Sequence, residues 1–196
     1  MNQRIHSYGF IKKLFAMTLI VLAVFLLNRC GKSDSSSSTG GTLKTYEGNG
    51  FAISMISNWK IITPAEFYAE IPRETMVAFT SPEATNGFFT NVNILKEDLK
   101  QAVSPIDYAR ANINLSAQNL TNYEKIQEVR VQLGTEKSIL HIFQARLNPA
   151  EKTIKFIQVY STKGNFGYVV TGGMLPDAPQ SLRDLVGSMV TSFRLK

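Results

Sequence analysis

The sequence predicts an α+β domain: an α/β/α sandwich in which helices cover a central, mostly antiparallel β-sheet. Three observations lead there. Between residues 43 and 196 the chain passes through short apolar-polar alternating segments, separated by Asn-Gly, Asn-Pro and Lys-Gly-Asn turn signals. Two other stretches repeat their apolar residues at intervals of three and four, the spacing of one helix face. The strands and helices follow one another in an order that lets helices close over the sheet.

Before the domain, Leu14 to Leu27 is an unbroken run of 14 residues without a charge, preceded by Arg4, Lys12 and Lys13 and by no acid. A basic leader ahead of a short apolar core is the layout of a secretory signal. As a helix the run would be about 21 Å long, short of the roughly 30 Å needed to span a bilayer, so a permanent transmembrane helix is the second reading. Leu27-Asn28-Arg29-Cys30 resembles the bacterial lipobox, with Arg29 standing where a small residue is usual. That resemblance implies removal of residues 1–29 and diacylation of Cys30, the lipidation site. Residues 30–42 form a Gly/Ser-rich tether, reading GKSDSSSSTGGT after the cysteine, too polar to bury itself. Residues 43–196 are the domain, large enough for one hydrophobic core.

Charge and cysteine content exclude several function classes. Four of the 21 Lys and Arg precede Cys30, so the chain from there onward carries 17 cations against 15 acids, a net of +2. Nucleic-acid binding would need a basic stripe, and none is present. Cys30 is the only cysteine, which leaves no thiol for a disulfide, a zinc site or a nucleophile.

Within the domain, Asn49-Gly50 is a turn signal leading into Phe51, Ile53 and Met55, which share a strand face. Trp59 to Ile62 is a brief second strand, with the only tryptophan expected in the core. Thr63-Pro64-Ala65-Glu66 opens a short helix: Thr63 caps, Pro64 occupies the first position, and Glu66 reaches back to the cap. Met76 to Thr80 and Phe88 to Leu95 form a hairpin around Ser81-Pro82 and Asn86-Gly87. The second of these strands places Phe89, Asn91, Asn93 and Leu95 on one face.

Ser104-Pro105-Ile106-Asp107 repeats the helix-start device. The helix that follows carries Ile106, Ala109, Ile113, Ala117 and Leu120 as its apolar stripe, leaving Asn112, Asn114, Gln118 and Asn119 to the other faces. Four strands come next, near Glu124–Gln132, Ser138–Leu147, Thr153–Ser161 and Phe166–Thr171, turning at Gly134, Asn148-Pro149 and Lys163-Gly164-Asn165. A last helix beginning near Asp177 to Pro179 presents Leu182, Leu185, Val186, Met189 and Phe193 to the sheet.

The chemistry-bearing residues are few. His141 shares a strand face with Ile139, Phe143 and Ala145, and the only other His lies in the leader, so residues 43–196 hold no second His or Cys to complete a metal site. Asn91, Asn93 and His141 are candidates to line a groove between sheet and helix. No nucleophile elbow, phosphate loop or metal-ligand cluster occurs, and the adjacent Glu97 and Asp98 point to opposite sides of a strand. No enzyme activity and no cofactor are expected.

Several of these residues together resemble the PsbP family and the PsbP-like and DcrB-like bacterial lipoproteins. They are Tyr46 with Gly50-Phe51-Ala52-Ile53 and Trp59, Phe79 with Ser81-Pro82, Asn91-Val92-Asn93-Ile94 with Glu97-Asp98-Leu99, Tyr168-Val169-Val170-Thr171, and Ser192-Phe193. The resemblance covers roughly Leu43 to Lys196. It implies an α/β/α sandwich, a fold shared with a Ran-binding nuclear-import factor, in a family whose members are generally non-enzymatic. With the lipobox-like start, the expectation is a lipid-anchored protein of the bacterial cell envelope, facing the periplasm or the exterior. Its expected partners are the membrane, through the anchor, and an envelope or membrane protein, with no nucleic acid. A small-ligand or metal carrier is the alternative.

Overall fold

The structure, a computed structural model, describes residues 41–67 and 72–196. Cys30, the apolar run and most of the tether lie outside the described residues. The elements run β1 (Leu43–Gly48), β2 (Phe51–Ile56), β3 (Lys60–Ile62), a 3-10 turn at Pro64–Glu66, β4 (Thr75–Thr80) and β5 (Asn91–Asp98). They continue with α1 (Pro105–Asn119), β6 (Thr121–Leu133), β7 (Glu136–Arg146), β8 (Ile154–Lys163), β9 (Phe166–Met174), α2 (Gln180–Thr191) and β10 (Arg194–Leu195). The main sheet has seven strands in the order β3-β4-β5-β9-β8-β7-β6, and every pairing in it is antiparallel. A second, three-stranded sheet, β1-β2-β10, was not foreseen as separate.

Local chemistry explains the boundaries. Asn49 and Gly50 turn β1 into β2, with Gly50 at φ +83°, where a side chain is rarely accommodated. The strand expected from Phe88 enters the sheet only at Asn91. The cause is the Asn86-Gly87 turn, both residues at positive φ, which closes a small bridge between Thr85 and Phe88 and so uses up the residues before Asn91.

Both faces of the main sheet are covered. On one, Val77, Phe79, Val92, Ile94, Val159 and Val170 pack with Phe51, Ile53 and Met55 of β2 and with Val186, Met189 and Val190 of α2. Trp59 belongs to this core at 7% exposure. On the opposite face Ile139, Tyr160 and Val169 meet Tyr108, Ala109 and Ile113 of α1, and Phe143, Phe156 and Ala145 cluster with Phe88 and Leu175. One glycine of β9 serves each helix. A Cβ on Gly172 would lie 2.5 Å from Val186 of α2, and one on Gly167 would lie 2.4 Å from the Tyr108 ring of α1.

Candidate functional site

The face beneath α1 holds most of the buried polar chemistry. Ser104 caps the helix by accepting from the Asp107 amide at 3.1 Å, with Pro105 at the first position. This start fixes the rotation of α1, and the buried residues are Tyr108, Ala109, Asn112, Ile113 and Ser116. Ala117, expected in the stripe, is exposed, and Asn112, expected on another face, is buried. The reason lies in satisfaction within the helix: Asn112 Nδ2 donates to the Tyr108 carbonyl at 2.9 Å and the Ser116 hydroxyl to the Asn112 carbonyl at 3.0 Å. Polar groups that carry their own partners can be buried without the usual penalty.

Across the sheet, pairing aligns Asn93, Thr171, Gln158, His141 and Glu128 in one row over five strands. Three of these, with two tyrosines, form a closed relay. Tyr160 donates its hydroxyl proton to Gln158 Oε1 at 2.8 Å and lies 3.4 Å from His141 Nδ1. Having spent its proton, Tyr160 accepts from His141, which assigns the hydrogen to Nδ1. His141 Nε2 is then the acceptor for the Tyr123 hydroxyl at 2.8 Å. Gln158 passes the chain on by donating to Thr171 Oγ1 at 3.0 Å. The His141 ring also stacks on Phe143 at 4.5 Å. Burial first of all lowers the pKa of His141 to about 4, so at neutral pH the imidazole is uncharged and its two nitrogens are both engaged.

The three residues proposed to line a groove do not converge. Asn93 and His141 share the row but stand three strands apart, about 14 Å at a spacing of about 4.8 Å. Asn91 is fully buried; its Nδ2 donates to the Phe89 carbonyl at 3.0 Å, while its Oδ1 has no donor. Among the described residues no three His, Cys, Asp or Glu side chains come together as a metal site.

Glu97 is the residue that sequence reasoning passed over. It is buried on the α1 face and accepts from the Tyr108 hydroxyl at 2.6 Å, whereas Asp98 is exposed. Burial raises its pKa to about 7; the Tyr108 hydrogen bond opposes that rise and the nearby Glu74 carboxylate adds to it. The alternation that places Asn91, Asn93 and Leu95 on one face continues to Glu97, and this was the signal available.

A surface cleft of about 220 Å³ opens elsewhere, where the β6–β7 turn meets the end of the chain. Lys163, Arg194, Lys196, Glu136 and Ser161 line it beside Phe193. Ser161 donates to Glu136 at 2.8 Å, Lys163 to the Lys196 carbonyl, and Lys196 and Arg194 both face Glu47.

This arrangement of sheet, helices and β2 layer is similar to that of solved structures, among them the following. The solution structure of cyanobacterial PsbP (CyanoP) from Synechocystis sp. PCC 6803 matches with a TM-score of 0.55 at 12% identity, over 87% of this chain and 99% of that one. The Ran-binding protein Mog1p of Saccharomyces cerevisiae matches with a TM-score of 0.50 at 14% identity, over 80% and 96%. The chain has the PsbP/Mog1-like fold. No family model matches the sequence, and no curated protein is similar to it by sequence. At these identities the PsbP-like fold is shared while individual site residues are not carried across. The expectation of a PsbP-like sandwich is therefore met in the backbone.

Proposed function

We propose that the chain is a non-enzymatic binding or assembly module, held at a bacterial envelope membrane by a lipid on Cys30, that docks an envelope protein. The observation that carries this reading is the division of its polar groups. Inside, His141 is engaged with two tyrosines, Gln158 with Thr171 and Tyr160, and Glu97 with Tyr108. At the surface, Lys163, Arg194 and Glu136 line the cleft beside Phe193, a mixed-charge recess suited to a protein side chain. A Ran-binding protein has the same fold, which supports a protein partner. Tethering would add effective concentration, up to the millimolar range for short flexible linkers.

A photoreactive residue at Thr135, on the cleft rim, tests the proposal in intact cells. It is expected to capture an envelope protein from the acylated chain, and to lose it with Lys163→Glu and Arg194→Glu together or when a conventional secretory signal in place of residues 1–29, combined with Cys30→Ser, releases the chain. Equal capture from released and tethered forms would refute the tethering; capture unaffected by the charge reversals would refute the cleft. A small-ligand carrier is the second reading, and Asn91 Oδ1 favours it, as a fully buried acceptor with no donor. A ligand-induced rise in melting temperature that Asn91→Leu abolishes would support that reading instead.

A further inference from the structure

The longest strand among the described residues, β6, is the outer edge of the main sheet, and residues 124–130 along it are all exposed. Ile126 and Val129, at 45% and 38%, are two of the four exposed large hydrophobic residues among those described. Their setting is unusual. Lys125 faces Phe143 and Gln127 faces Ile142, so Ile126 sits in a bulge without a partner on β7. The bulge shifts the alternation: Lys125 and Glu128 both lie on the α1 face, opposite Phe143 and His141, and are 3.3 Å apart. Glu124 and Val129 lie on the other face, opposite Gln144 and Leu140.

We propose that β6 pairs antiparallel with β6 of a second copy of this chain, about a two-fold axis at Gln127. With each bulge passed as two residues against one, Lys125 of each copy stands opposite Glu128 of the other, and Tyr123 opposite Arg130. These partners share a face, since Tyr123 bonds His141 and Arg130 faces Ile139. Glu124 meets Val129 on the opposite face, and no like charges are opposed. Moving the axis by one residue would set Glu128 against itself and Arg130 against Lys125, which is destabilising. Charges and a bulge on an edge strand bar indiscriminate pairing; here they are self-complementary, so they admit a copy of the same strand in an isologous contact. The seven-stranded sheet then continues into a sheet of fourteen strands through the dimer. This inference rests on the edge strand alone and is independent of the cleft.

Two sets of variants of the full chain test it, both in a Cys30→Ser background so that no other thiol is present. Residues facing themselves across an antiparallel axis have Cα atoms about 4.5–5.5 Å apart, within disulfide reach. Gln127→Cys is therefore expected to oxidise to a covalent dimer, and Gln132→Cys, far from the axis, is not. Separately, sedimentation equilibrium is expected to show dimers that Lys125→Glu or Glu128→Lys weakens about tenfold, by setting like charges opposite one another at two positions, and that the double reversal restores. A protein still monomeric at about 100 μM, roughly the range where weak interfaces form, would overturn the proposal. So would equal crosslinking of the two cysteine variants, or failure of the double reversal to restore association.

Discussion

The two faces of the seven-stranded sheet are built from the same strands and yet differ in kind. Toward α2 and the small sheet the core is an apolar cluster running from Phe51 and Trp59 through Phe79 and Val170 to Met189 and Phe193. Toward α1 a polar row and a buried carboxylate interrupt the apolar packing. Apolar packing is tolerant of exchange so long as volume is kept, whereas a buried polar network needs each partner in place. One face is thus a continuous apolar core, and the other fixes geometry and responds to protons.

Truncating a large residue on the apolar face is expected to have the largest effect. Trp59→Ala is expected to cost about 3–5 kcal/mol, a large part of a domain's usual margin of about 5–15 kcal/mol, measured as a fall in the denaturant midpoint. Trp59 emission should be blue-shifted and shielded from iodide in the folded protein. Red-shifted emission with full quenching would place the ring in water and remove Trp59 from this core.

On the polar face the sign should reverse at Glu97. Its pKa is raised from 4.5 to about 7, so between those values the folded chain keeps a proton that the unfolded chain has lost. Its contribution is present at acid pH and is lost as pH rises through about 7. Glu97→Gln, which can still accept from Tyr108, is expected to stabilise the protein by about 2–3 kcal/mol at pH 8 and little at pH 4. No gain at pH 8 would mean that the carboxylate is solvated.

His141 has the opposite slope. Its pKa is lowered from 6.5 to about 4, so its contribution is present above 6.5 and is lost as pH falls toward 4, where the unfolded chain binds the proton first. The two slopes nearly offset each other between pH 4.5 and 6.5. Relative to the parent, Glu97→Gln should therefore uncover a stability that climbs with pH, and His141→Gln one that declines, beneath a loss of about 1–3 kcal/mol from disturbed partners. Parallel pH profiles for the two variants would disprove the opposition. The smallest effect is expected at the start of α1, where Ser104→Ala removes the cap and costs about 1 kcal/mol.

Much of this fold was legible from the chain because the deciding signals are local. Asn49-Gly50, Asn86-Gly87, Gly134 and Gly164 mark turns whose positive φ values few other residues adopt. Thr63 and Ser104 mark helix starts, and the capping geometry appears at both. The alternation that put Ile139, His141, Phe143 and Ala145 on one face follows from backbone geometry alone. His141 among apolar neighbours is where it was expected, fully buried.

Local patterns along the chain specify most of the strands and helices and the alternation within strands, but not the start of β5 at Asn91 or the buried stripe of α1. Which sides face one another is set by the packing of the whole chain. That Gln158 meets Thr171 and His141 meets Gln158 depends on strand order and register, which are set by distant segments. Asn112 is inside and Ala117 outside because a polar side chain bonded within its own helix loses little by burial, and the sheet beneath offers polar company. Glu97 acquires its raised pKa from burial in the assembled layers, against the opposing hydrogen bond from Tyr108, whose helix has not yet begun at that point in the chain. Proton affinity depends on the solvent and charge around a group, and those surroundings exist only once the layers have come together.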